Sequence, residues 1–168
     1  RQSGSEIQRQ SRWLPDLSLS ATGPLGEVCR RAFNCRTLRD VADILREFDD
    51  LPNPSPDDPA ALLTHLTGTL GAKQALLAAL AAESGCEDVQ LILACYELRL
   101  PPRASSVKPP GTLPLVVCYL HCRARDVQIS KAGAGSVIQG NPLSTARVEP
   151  MTMSAERIRL YESFAAEW

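Results

Sequence analysis

Apolar positions recur at helical spacing from Thr37 onward, where Leu38, Val41, Leu45 and Phe48 fall on one stripe. Thr37 and Asp40 are spaced so that each side chain can meet the other's backbone N–H, and the pattern predicts a capped amphipathic helix. Residues 51–59 carry four prolines within eight positions, which withholds backbone donors and favours extended geometry, so a loop follows. Residues 70–83 are dominated by Ala and Leu, the strongest helix formers, with Gly85 placed for a C-terminal cap. This second helix is apolar nearly all round, which predicts a central position with neighbours on several sides.

The periodicity then changes. Val89, Leu91, Ile92, Leu93 and Tyr96 mark a buried strand over residues 89–98, and residues 113–122 form a second apolar run. Arg123-Ala124-Arg125 reads as a polar turn leading into a partner strand at 126–130. Residues 101–111 are a Pro-rich loop, and residues 131–140 a Gly-rich one. Ser154 is placed to cap a last helix with Ile158, Tyr161, Ala165 and Trp168 along one stripe. Residues 1–24 are polar and weakly periodic, the pattern of an N-terminal arm, a cloning remnant or a short edge element; residues 25–168 form the expected single domain. The predicted fold class is α+β, a central buried helix packed on a mostly antiparallel sheet with flanking helices.

Composition narrows the partners. With 168 residues, 44% of them hydrophobic, the chain can bury roughly 70% of its unfolded surface in one core. A net charge of −1 gives no basic footprint for nucleic acid. No apolar run reaches membrane-span length and the start lacks an apolar signal region, so no membrane partner and a cytoplasmic location are expected. The six cysteines lie within apolar segments and are expected to be mostly reduced and buried. Cys118, His121 and Cys122 gather three metal-capable residues, but on a strand His121 faces away from the two thiols, so no metal site and no cofactor are expected.

Local words of the chain carry a resemblance. Gly68-Thr69-Leu70-Gly71-Ala72-Lys73-Gln74-Ala75-Leu76-Leu77, Asp88-Val89-Gln90-Leu91-Ile92-Leu93-Ala94-Cys95-Tyr96, Pro114-Leu115-Val116-Val117-Cys118-Tyr119-Leu120 and Gln128-Ile129-Ser130 stand in family order. Over about residues 33–168 the chain resembles a bacterial family of small transglutaminase-like proteins of the papain-like superfamily. The resemblance implies a cysteine nucleophile at a helix start, a histidine base on a strand and an aspartate on the partner strand. Carried over by position, those roles fall on Leu70, Val117 and Gln128, none of which can perform acyl transfer. The implied function is a catalytically inactive domain that binds a peptide, a small amide-bearing ligand or a protein partner. Leu70, Gly71, Lys73, Gln74, Val117, Cys118 and Gln128 would form the former cleft, with Lys73 and Gln74 at its rim.

Other residues support alternatives. Cys86 or Cys118 with His121 and Asp126 would make a thiol-dependent amidase or acyltransferase, although the carboxylates beside Cys86 oppose thiolate formation. A structural accessory subunit is a third reading, and the oligomeric state is not encoded in any pattern. His65 precedes the Gly68-Thr69 turn as a solvated loop residue, and Arg123 and Arg125 beside Asp126 belong to a solvated turn. Gly133-Ala134-Gly135-Ser136 lacks the Lys-Ser/Thr of a phosphate loop, and the Pro pairs at 101–102 and 109–110 stiffen their loop.

Overall fold

A computed structural model describes residues 7–55, 57–99, 112–131 and 141–166. The elements follow in the order α1 (Pro24–Phe33), α2 (Leu38–Glu47), α3 (Pro59–His65), α4 (Leu70–Glu83), β1 (Gln90–Arg99), β2 (Thr112–Cys122), β3 (Arg125–Val127), β4 (Ser144–Val148) and α5 (Met153–Ala166). The strands form an antiparallel sheet in the order β3-β2-β1-β4, so β1 is central. The fold class is α+β, as the pattern of the sequence predicts. Among the described residues no helix is long and apolar enough to cross a membrane. The loop at 101–111, most of the Gly-rich segment and Trp168 lie outside the described residues.

Helix α4 has the central place its composition requires. Leu76, Leu77 and Leu80 are fully buried, each contributing roughly 2 kcal/mol of apolar transfer energy, and α1, α2, α3 and the sheet all pack on it. Its C-terminal residue also organises α1: the Glu83 carboxylate accepts from the N–H groups of Leu25 (3.0 Å) and Gly26 (2.8 Å). Gly23 leaves the space for that carboxylate, since a Cβ there would fall 2.1 Å from Glu83 Cδ. Helix α2 carries the expected capping box, Thr37 accepting from Asp40 N while Asp40 accepts from Thr37 N.

Four features depart from the sequence reading. Helices α1 and α3 and strand β4 were not legible as elements. Helix α3 is short and opens on the last proline of the loop, with Asp58 as its cap, and β4 is a mostly exposed edge strand held to β1 by its backbone. The second departure is the partner of β2, which is only three residues long. Its turn is the two-residue pair Arg123-Ala124, both with positive φ (49° and 63°).

The third is the face of α5. Met153 is buried and Leu160 and Phe164 pack on the core, whereas Ile158 is 57% and Tyr161 37% exposed, so the inward stripe is rotated from the predicted one. The helix is entered from a 3-10 turn, and Ser154 N donates to Asp57 Oδ1 instead of Ser154 capping it. The fourth concerns residues 7–23, which are integral to the domain. Leu14 and Leu19 are buried, Gln8 bridges Val127, and the Arg125 guanidinium stacks 4.0 Å from the Trp13 ring, so Arg125 is not a freely solvated turn residue.

Candidate functional site

The first turn of α4 meets the middle of β2. Thr69 closes the helix by accepting from Ala72 N at 3.2 Å, leaving the N–H groups of Leu70 and Gly71 without acceptors inside the helix. Opposite them, no strand among the described residues pairs with the outer edge of β2 over residues 112–119, because β3 pairs with Leu120, His121 and Cys122. Side chains cap that edge. Val116 N donates to the Tyr161 hydroxyl at 3.4 Å, Cys118 O accepts from Gln128 Nε2 at 2.7 Å, and Pro114 has no donor to offer. Between the helix start and this edge lies a cleft of about 360 Å³.

Leu70, Gly71, Val117, Cys118 and Gln128, five of the residues singled out in the sequence, line this one cleft. Their orientations differ. Strand alternation puts Val116 and Cys118 in the main core with α4, whereas Val117 packs with Ala94, Tyr96 and Tyr119 on the opposite face of the sheet. Val117 therefore contributes to the wall at the strand edge, and Cys118 is the neighbour whose side chain is turned toward the helices. Burial pushes the Cys118 thiol up to about 12 despite the opposing pull of Arg157, and its Sγ rests 3.7 Å from Met153 Sδ.

Lys73 and Gln74 are not at the rim. Both are fully buried on the side of α4 turned into the domain. Lys73 Nζ donates to Phe48 O and lies 2.7 Å from Asp50 Oδ1; Gln74 bonds the backbone of Ile129. They build the cleft's frame by tying the 48–50 segment and the 128–130 segment to the helix.

Two charged cleft residues were missed in the sequence, Asp50 and Arg157. Arg157 follows Met153 by one helical turn and precedes Leu160 and Phe164 on the inward stripe of α5. A charge interrupting an apolar stripe was the available signal, masked by reading the stripe through Ile158 and Tyr161.

The alternative thiol–imidazole constellation is not brought together. His121 Nδ1 and Asp126 Oδ1 are 2.7 Å apart as a cross-strand pair, but His121 alternates with Leu120 and Cys122, which face α4. Cys86 packs against the main core and lines a separate cavity of about 500 Å³ at the other end of α4, beside Arg147 and Glu149. Cys118 and Cys122 likewise face the helices, opposite His121. His65 is exposed at the end of α3. Among the described residues no group of three His, Cys, Asp or Glu side chains could hold a metal ion.

Compared with protein-family models, with curated proteins and with solved structures, the chain matches none.

Proposed function

We propose that the chain is a ligand-binding protein on a transglutaminase-like frame, without acyl-transfer chemistry, and that its ligand is a peptide or small amide-bearing molecule held in the cleft between α4 and β2. The observation that carries this reading is the meeting of Leu70, Cys118 and Gln128 around a cavity of about 360 Å³ whose lining includes no imidazole. That is the size range of small-ligand sites, and its walls combine apolar side chains with a few fixed polar groups. The resemblance expects a nucleophile at Leu70, where a hydrocarbon stands. The thiol beside it, Cys118, is held protonated by burial and offers no thiolate near neutral pH.

The test is a screen of short peptides and primary amides against the full chain by melting temperature, followed by amide chemical-shift mapping of each hit. A native-state binder raises the melting temperature by mass action. Shifts clustered at Leu70, Gly71, Cys118 and Gln128 are the expected result. Hits that map to the Cys86 cavity, or selective alkylation of one thiol that depends on His121, would overturn it.

A further inference from the structure

We infer that the cleft selects ligands bearing a carboxylate next to a short apolar body, and that Arg157 is the group that reads it. The inference rests on the binding reading above and deepens it.

Arg157 stands where an apolar residue belongs. Its helical neighbours on the same stripe, Met153, Leu160 and Phe164, all pack on the core. Among the described residues, Nε of Arg157 is buried with no hydrogen-bond partner and its guanidinium forms no ion pair. A guanidinium kept partly out of water without a partner is costly; Arg46 Nε shares that state, but of the two it is Arg157 that lines this cleft, where an acceptor can approach its outer nitrogens.

The nearby carboxylates are already engaged. Glu156, adjacent in sequence, pairs with Arg159 at 2.8 Å. Asp50, which lines the same cleft, is neutralised by Lys73 at 2.7 Å. Among the described residues Arg157 is therefore the cation lining the cleft that stands outside any ion pair, and the planar fork of arginine matches a carboxylate with two parallel hydrogen bonds.

Gly71 makes room for this arrangement. A Cβ at that position would lie 2.8 Å from Arg157 Nη2 and 3.0 Å from Met153 Sδ, so the bare backbone of α4 lets the guanidinium lie against it. Leu70, Leu115 and Val116 supply apolar surface for the remainder of a ligand. An N-acylated apolar amino acid combines the required carboxylate, amide and hydrocarbon in one molecule.

The experiment compares N-acetyl-leucine with N-acetyl-leucinamide, which differ only in the charged end, by calorimetric titration of the full chain with amide chemical-shift mapping. The acid is expected to bind about tenfold or more tightly than the amide, the increment of a charge-assisted hydrogen bond. Arg157→Gln should bring the acid down to the amide's affinity. Should that variant fail to fold, Gly71→Ala, which displaces the guanidinium's flexible end, should reduce the preference for the acid in the same direction. Equal binding of both compounds at the cleft would overturn the carboxylate inference and leave the binding reading standing. No binding of either at millimolar concentration, or shifts away from the cleft, would overturn both.

Discussion

Gln74 behaves toward Ile129 as a neighbouring strand would. Its Nε2 donates to Ile129 O at 2.7 Å while its Oε1 accepts from Ile129 N at 3.0 Å, all within the core. One side chain thereby satisfies both backbone groups of a residue beyond the end of β3, joining α4 to the segment that carries Gln128 into the cleft. Gln74→Ala should cost about 3 kcal/mol in urea unfolding, since two buried backbone groups lose their partner.

Gln74→Glu adds a pH signature to the same contact. An ionised carboxylate cannot donate to Ile129 O, and burial raises the folded-state pKa of a glutamate there. The protonated form is then favoured in the folded state. The stability it contributes is present below the unfolded value, about 4.3, and is lost as pH rises through the folded one, so the variant's deficit should narrow on acidification.

Lys73→Met should destabilise by about 3 kcal/mol, because it strands the Asp50 carboxylate and the Phe48 carbonyl around a fully buried position. Adding Asp50→Asn should recover part of that loss. A double-mutant cycle by denaturant titration measures the coupling, and strict additivity would contradict the pairing.

The turn residues Arg123 and Ala124 both occupy the left-handed region, which costs side-chain-bearing residues of these types about 1 kcal/mol each. Replacing the pair by Asn-Gly, the sequence favoured in this turn, should raise stability by roughly 1–2 kcal/mol. Thermal unfolding checks it, and an unchanged or lower melting temperature would refute the turn geometry.

At the start of α2 the N–H groups of Arg36 and Thr37 hold the Asp40 carboxyl below the usual range. A depressed folded-state pKa contributes stability above the unfolded value, about 3.9, that is lost as pH falls through the folded one. Asp40→Asn should therefore cost a few tenths of a kcal/mol to about 1 near neutrality, with the difference closing in acid.

Thiol labelling should rank the cysteines by burial. Burial raises Cys29 and Cys118 to about 12 and Cys35 to about 11, whereas Cys86 is only partly buried. Iodoacetamide near neutral pH should modify Cys86 first, and Cys86→Ser should remove the fast phase. Rapid modification of Cys118 would contradict its enclosed setting.

Apart from the capped helix α2, the elements that were legible in the sequence are those with most of their residues buried. Helix α4 and strands β1 and β2 show as continuous apolar runs because most of their described residues are buried. Helix α1, with Gly26 and Cys29 as its buried residues, and the polar edge strand β4 leave little trace, since burial on one narrow side does not raise local hydrophobicity. The convergence of Leu70, Val117 and Gln128 on one cleft has no trace in local periodicity, which does not record contacts between distant segments. The direction of Val117 was not legible either, because a strand's face is decided by which neighbours cover it.

Helix α5 is the sharper case. Its sequence carries two overlapping apolar stripes, one through Ile158 and Tyr161 and one through Met153, Leu160 and Phe164. Either is compatible with a helix, and packing against β2 selects the second, which also turns Arg157 into the cleft. By itself the sequence determined the capped helix at Thr37, the central apolar helix and the two long strands, because these depend on local periodicity, capping and overall burial. The tertiary structure decided that, among the described residues, Arg157 Nε is buried without a hydrogen-bond partner, that Lys73 and Gln74 frame the cleft from inside, and that His121 lies across the sheet from the thiols. Those outcomes depend on which faces meet across long separations in the chain, and periodicity records that a face is buried without recording what it is buried against.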